Sequence, residues 1–380
     1  MQNKNHIAFL DSIRGLAALA VINEHFVIAY GLPCKEIRCQ RILDYSPLHI
    51  GWDGGAAVSM FFILSGLVLS LKYFRLSEIP ALGSLQLTSY IIGRLFRIWL
   101  PYSVVVLVSI FLYQHTLEAT ALKTLLSPSD WINNLWRSHS LSYEDIASEL
   151  FLLKLPSSIV LLPQGWTLSI ELVISLLLPI GLVLVDRGIN WLVIFTLILV
   201  LFLGVSPFLL HFLLGLMIAR YYRRIVSYLI IRVWLRRLLF FVGLILYTLG
   251  NTIPKVFGEN FIWIATGIGA SLIIIYVISS IRMQGVLSVC GLRFIGKVSY
   301  SAYLIHMAVL ICITPYLLST LELLISNFNE LWITGWFLTL VVVQFLSCVF
   351  YYSVELPSIR VGGWVINLIN AKVNTGCIRL

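Results

Sequence analysis

Apolar runs long enough to cross a lipid bilayer recur along almost the whole chain, and that repetition constrains the fold more than any other feature. A membrane-crossing helix needs about 20 apolar residues. By this rule about ten runs qualify: roughly 9–30, 54–73, 98–115, 166–185, 190–206, 207–222, 239–254, 261–281, 298–319 and 332–354. Composition agrees, since 59% of the 380 residues are apolar and only 11% are charged. A soluble domain carries roughly 25% charged residues and cannot hide so much apolar surface. Six cysteines are too few for a disulfide-rich secreted scaffold. The expectation is an all-α polytopic integral membrane protein, a bundle of about ten transmembrane helices. Ser206 and Pro207 separate two of the runs and predict a tight hairpin or a broken helix pair there. The first run carries Arg14 and His25 and no small-residue cleavage site follows it, so it reads as a span and not a cleaved signal peptide.

Charge fixes the orientation. The chain has 26 Lys and Arg against 17 Asp and Glu, a net charge of +9. In a soluble protein this would point to nucleic acid, but here the cations sit in short loops beside the spans. No stretch interleaves basic residues with aromatics as a single-strand groove would, so nucleic acid is not an expected partner. With ten spans both termini lie on one side, and that side holds 18 Lys and Arg against 7 on the other. Arg14 lies within the first span. The positive-inside rule then puts both termini in the cytoplasm. The heaviest clusters are Lys72, Arg75, Arg94 and Arg97, and Arg220, Arg223, Arg224, Arg232, Arg236 and Arg237. The one long loop, about 116–165, falls outside, and loops above ~12–15 residues are usually functional. Cys34 and Cys39 lie close enough in sequence to pair in an oxidising compartment, although spacing alone leaves their pairing open. No linker or charge block divides the chain, which predicts a single domain over 1–380.

Ionisable residues inside spans are costly and mark functional sites. In FLDSIRGLAALAVINEHF, Arg14 and His25 are eleven residues apart. At 100° per residue they return to within about 20° of one face, separated by about 16 Å along the axis. Asp11 lies one turn below Arg14, while Glu24 points about 100° away from His25. A structural reading would be an Asp11–Arg14 salt bridge at the membrane boundary and a His25 bonded to a neighbouring helix. The alignment fits better a ligand that crosses half the membrane. QGWTLSIELVIS places Glu171 inside the fourth span, at a depth similar to His25, where the two could act as a base and its orienting carboxylate. A protonated Glu171 bonded to a backbone carbonyl is the structural alternative. GRLFRIWLPY carries Arg94 and Arg97 at i, i+3, a spacing that suits phosphate binding, though basic residues at a cytoplasmic helix end are also expected from topology. LRFIGKVSYSAYLIH sets Tyr300, Tyr303 and His306 on roughly one face, and YYSVELPSIR ends the last span with Glu355 and Arg360. Ser59, Ser65 and Gly66 in VSMFFILSGLVLS are small enough to admit a close helix neighbour. Nucleotide-binding, metalloprotease and nucleophile-elbow motifs are absent, and the histidines and cysteines are too scattered for a metal centre.

Taken in order, these segments resemble the membrane-bound acyltransferase-3 family. The first span resembles its first helix, VSMFFILSGLVLS its second, and GRLFRIWLPY its paired-arginine element with Arg94, Arg97 and Pro101. WTLSIELVISLLLP is similar to a further segment through Trp166, Ser169 and Glu171, with Leu172 where a second acid often stands. FLLGLMIA, FIGKVSYSAYLIH and VELPSIR match later landmarks, so the resemblance runs from about residue 8 to 360. It implies transfer of an acyl group, usually acetyl, from cytoplasmic acyl-CoA to a hydroxyl of a carbohydrate or other envelope acceptor, in a bacterial inner membrane. O-antigen and exopolysaccharide are typical acceptors. The extracytoplasmic hydrolase-like domain fused to several members is not expected here.

The resemblance implies His25 as general base with Glu171 beside it, and Arg14, Arg94 and Arg97 as ligands for the phosphates of acyl-CoA. Asp11, Ser65, Tyr303, His306 and Glu355 are supporting candidates. No metal is expected. Trp131, Trp136 and His139 in the long loop suit either sugar stacking or membrane anchoring. A transporter or flippase of glycan intermediates is the main alternative, and it would favour internal hydropathy repeats; none is found. A non-catalytic scaffold of the same fold is the other. The charge asymmetry generates a direct test of orientation. A cysteine replacing Asn133 should react with an impermeant thiol reagent in intact cells, and one replacing Arg223 should not; the reverse pattern would invert the topology.

Overall fold

The computed structural model describes residues 5–34, 36–75, 84–115, 125–137, 141–152, 161–202, 206–252 and 258–374. Within them every regular element is helical. Helix α1 (Asn5–Tyr30) is followed by the short α2 (Ile37–Tyr45) and by α3 (Gly54–Arg75). Helices α4 (Ser84–Arg94) and α5 (Leu100–His115) form one rod through a π-helical turn at Leu95–Trp99. Two short helices, α6 (Asp130–Arg137) and α7 (Tyr143–Leu150), precede α8 (Gly165–Leu176) and α9 (Leu178–Phe202). Next come α10 (Phe208–Ile230), α11 (Val233–Tyr247), α12 (Leu249–Thr252) and α13 (Glu259–Ser279). Helices α14 (Ile281–Leu287), α15 (Cys290–Lys297), α16 (Ser299–Cys312) and α17 (Thr314–Glu322) lead to α18 (Phe328–Phe350). A second π-helical turn, Tyr351–Glu355, joins α18 to α19 (Leu356–Asn374).

Among the described residues, five helices or helix runs are long and apolar enough to cross a membrane, or up to seven if each of two bent pairs is one span. The chain is therefore a multi-pass, all-helical membrane protein, with fewer uninterrupted spans than the ten expected from hydropathy. Three expected spans account for the difference. The run at 190–206 overlaps α9 as far as Phe202, and α9 is interrupted at Gly188 by a φ of 152°. The run at 207–222 lies in α10, whose second half carries Arg220, Arg223 and Arg224. The run at 239–254 is split between the 15-residue α11 and the four-residue α12. Elsewhere the agreement is close: α1 is continuous from Asn5 to Tyr30, so Arg14 and His25 do share one helix. Residues 1–4 and 375–380, 116–124 and 138–140 of the long loop, and the segment 203–205 before Ser206, lie outside the described residues.

The chain forms two compact units. The first comprises Met1–Val21, Leu43–Gly83 and Val173–Lys297, the second Ile22–Ile42, Ser84–Leu172 and Val298–Leu380. In the first, α10 packs along α3 and α13, and α13 packs along α11. Glycines set these distances. A Cβ on Gly66 would lie 2.0 Å from the Phe212 carbonyl oxygen, and one on Gly215 would lie 2.0 Å from that of Ile63. Apolar surface gives helices little reason to associate in lipid, so close backbone packing supplies the attraction instead. Asp53 opens α3 by accepting a hydrogen bond from Ala56 N at 2.9 Å.

In the second unit, α16 packs against α5, α17 and α18, and α19 lies along α4. Cys34 and Cys39 are joined by a disulfide. The long loop is not confined to the surface. The Leu150 carbonyl, at the end of α7, accepts from Trp99 Nε1 at 2.9 Å and from Ser103 Oγ at 3.4 Å. Those residues precede the end of α5 by twelve to sixteen positions, about 18–24 Å of helix. The segment after α6 thus runs deep alongside α5.

The glycine contacts predict a stability effect. Gly66→Ala and Gly215→Ala each force a backbone oxygen to move, at a cost of about 1–3 kcal/mol. Gly285 in α14 has open space around its Cα. Thermal unfolding in detergent should show a lowered midpoint for the first two variants and no loss for Gly285→Ala. Equal midpoints for all three would contradict the packing argument.

Candidate functional site

Three residues spaced by three on α16, Tyr300, Tyr303 and His306, organise the interior of the second unit. His306 is fully buried. Its Nδ1 lies 2.7 Å from the Tyr303 carbonyl oxygen, one turn earlier. Its Nε2 lies 3.0 Å from Nδ1 of His25. The His25 ring also stacks on Trp131 from α6, with centroids 5.8 Å apart and planes within 5°. The His25 imidazole is thus held by a buried histidine and an indole. Asn23, two residues earlier, accepts from Trp336 Nε1 at 3.0 Å and ties this part of α1 to α18.

Tyr303 carries the next layer. Its hydroxyl lies 2.6 Å from Thr167 Oγ1 and donates to the Gln164 carbonyl at 3.3 Å. Gln164 Nε2 donates to the Leu304 carbonyl at 2.9 Å. Gln164 Oε1 and the Tyr102 hydroxyl are both buried without a hydrogen-bond partner among the described residues. Buried polar atoms are rarely left so, and each is open to a ligand or a water. Glu171, one turn after Thr167 on α8, and Glu24, next to His25, both lie close enough to Tyr303 to act on its hydroxyl electrostatically.

A third layer lies about 9 Å from His306 along α16, the rise of the six residues back to Tyr300. The Tyr300 hydroxyl donates to the Ile98 carbonyl at 2.7 Å, and Ser301 Oγ donates to Glu355 Oε2. Arg97 lies near enough to act on both Tyr300 and Glu355. Helix α19, which follows the second π-helical turn, packs against the first at this level. Ser358 Oγ donates to the Phe96 carbonyl, and a Cβ on Gly362 would lie 2.7 Å from that of Phe96. A π turn leaves one carbonyl without its helical partner, and Tyr300 and Ser358 supply donors to two carbonyls of the Leu95–Trp99 turn.

Of the residues singled out in the sequence, His25, His306, Tyr303 and Glu171 gather around the first two layers, and Arg97 and Glu355 sit in the third. Arg94 and Arg97, expected on one face, have different surroundings because the π turn begins between them. Arg94 is buried, with its Nε unpartnered among the described residues, while Arg97 is exposed. Arg14, Asp11 and Ser65 belong to the first unit. There Arg14 Nη1 pairs with Asp11 Oδ1 at 3.3 Å, and Ser65 is buried on α3 beside Gly66. The Nδ1 partner of His25 is His306, a contact the sequence reading did not foresee.

Sequence reasoning missed Gln164, Thr167 and Tyr102. One signal was available for Thr167, which precedes Glu171 by four residues and so shares its helix face. Nothing in the sequence marked Tyr102 or Gln164. Trp131 proves to be a ring partner of His25, whereas Trp136 is buried and donates to the Leu161 carbonyl at 3.2 Å. His139 lies outside the described residues. Among the described residues no group of three or more His, Cys, Asp or Glu is arranged to hold a metal ion.

An imidazole in this setting can accept a proton inside a largely apolar bundle, with polar groups leading away from it along α16. The family model described as an acyltransferase domain matches residues 7–352, running through both units. No curated protein and no solved structure matches the chain. With nine-tenths of its length covered by that one model, the chain belongs to acyltransferase family 3.

Proposed function

We propose that this membrane acyltransferase is an O-acyltransferase of a bacterial inner membrane, with acyl-CoA as donor and an envelope carbohydrate as acceptor. The acyl group is acetyl and the acceptor a glycan such as O-antigen or exopolysaccharide, as for the family at large. The chain crosses the membrane ten times as one acyltransferase domain, with both termini in the cytoplasm. The observation that carries the reading is His25, held by His306 and Trp131 at the head of the polar column.

A sugar hydroxyl is a weak nucleophile at neutral pH. His25 takes its proton as the oxygen attacks the thioester carbonyl, the carbon–sulfur bond breaks, and the thiolate of coenzyme A takes the proton back from the imidazolium. The products are an ester and free coenzyme A. Glu171, near Tyr303, stabilises the imidazolium while it lasts. Donor phosphates are held by Arg97 and Arg94, guanidinium groups being suited to paired phosphate oxygens. The unpartnered Tyr102 hydroxyl and Gln164 Oε1 support a polar ligand lying between the arginines and His25.

His25→Ala should keep acyl-CoA binding and lose acyl transfer by about 10²–10⁴-fold, the usual contribution of a positioned base. Release of free thiol with a glycan acceptor measures it, and near-normal transfer would move the base elsewhere. Arg97→Ala should instead weaken acyl-CoA affinity by about 10- to 100-fold, the scale of one charge-assisted hydrogen bond. Unchanged donor affinity in the Arg94→Ala, Arg97→Ala double variant would remove both residues from the donor site.

A further inference from the structure

The hydrogen bonds around His306 have a direction, and that direction reaches His25. The Tyr303 carbonyl oxygen can only accept, so the His306 nitrogen 2.7 Å from it, Nδ1, carries a proton. A buried imidazolium needs a paired carboxylate to be affordable, and among the described residues none pairs with the His306 ring. His306 is therefore neutral, and its Nε2 bears a lone pair. That lone pair faces His25 Nδ1 at 3.0 Å, so His25 donates there through an Nδ1–H. In the neutral ring of His25 the remaining nitrogen, Nε2, is then the basic one.

From this chain of donors we infer that His306 is a positioning residue: it fixes the tautomer of His25 so that Nε2 is the nitrogen that takes and returns the proton. The inference rests on the reading of His25 as general base and deepens it. Hydrolases with a serine or cysteine nucleophile commonly use a carboxylate for this task. Here a neutral imidazole does it, anchored by a helix carbonyl. The difference has a chemical meaning, because a neutral acceptor orients the base without adding a full negative charge beside it.

The anchor is itself braced. Leu304, next to Tyr303, is bonded through its carbonyl to Gln164 Nε2, and Tyr303 is held through its hydroxyl by Thr167. Trp131 limits rotation of the His25 ring by stacking on it. Each brace keeps His25 Nδ1 aimed at His306.

Side-chain shape supplies the test. A glutamine at this position can place its amide oxygen near the site of the histidine Nε2, whereas an asparagine reaches only the site of Nδ1. His306→Ala and His306→Asn should lower kcat by about 10- to 10³-fold, the range for losing a residue that orients a catalytic group, with acyl-donor KM unchanged. His306→Gln should recover kcat to within about tenfold of the parent by restoring the acceptor. In parent protein labelled with ¹⁵N-histidine, the His25 signals, assigned by their loss in His25→Ala, should show a protonated Nδ1 and an unprotonated Nε2. Should the alanine variant fail to bind donor, this spectrum on unaltered protein decides. A glutamine variant no better than asparagine, a near-parent kcat in His306→Ala, or a protonated Nε2 on neutral His25 would overturn the inference. The two levels separate cleanly. Loss of transfer in His25→Ala without loss in His306→Ala removes only the positioning role, while retained transfer in His25→Ala removes the base assignment itself.

Discussion

Lipid offers no hydrogen bonds, so every backbone group within the membrane must find its partner in the protein. Straight helices satisfy this by themselves. Several departures from helix among the described residues of the second unit are matched by a side chain that restores a missing bond. Tyr300 and Ser358 serve the carbonyls of the first π turn, and Trp99 serves the end of α7. Glu149 accepts from Leu161 N with both carboxylate oxygens at 3.1 Å, and Trp136 donates to the carbonyl of the same residue. At the end of α1, Trp332 Nε1 donates to the Gly31 carbonyl at 2.9 Å. Leaving one such group buried and unpaired costs about 1–3 kcal/mol, which is why these polar side chains occupy otherwise apolar surroundings.

The same constraint arranges the chemistry. A π turn adds one residue to a helix and shifts the direction of everything after it. The first such turn separates the surroundings of Arg94 from those of Arg97, and the second ends at Glu355. Irregular backbone thus appears where charged groups meet, at the far end of the polar column from His25. His306 follows the same logic one level up, since the Tyr303 carbonyl that orients it belongs to an intact helical turn and cannot rotate away.

Much of this was legible in the sequence, for identifiable reasons. A helix has a fixed 100° period, so the shared face of Arg14 and His25 followed from counting, and α1 is unbroken between them. The boundary placed between residues 185 and 190 falls at Gly188, where the helix does break. Ten apolar runs meet five to seven candidate spans among the described residues because hydropathy averages over residues and does not register the short interruption after Tyr247 or the arginines late in α10. The partner of His25 was out of reach for another reason. Residues 25 and 306 are 281 positions apart, and no periodicity connects different helices. Glu171 was the obvious choice because carboxylates commonly orient imidazoles, and nothing local argued for a histidine in that role. The π turns were equally hidden, since a one-residue insertion leaves hydropathy unchanged.

Surface loops are ordinarily the parts of a protein that tolerate replacement, because few contacts tie them down. The described residues from α6 to the start of α8 do not have that freedom. Trp131 rests on the His25 ring, Trp136 is buried, the end of α7 is bonded to the middle of the α4–α5 rod, and Gln164 is bonded to α16. A replacement of these residues would have to bring matching residues on α1, α5 and α16 with it. The packing of this stretch and the setting of the His25 ring therefore depend on one another through residues at four separate places in the chain.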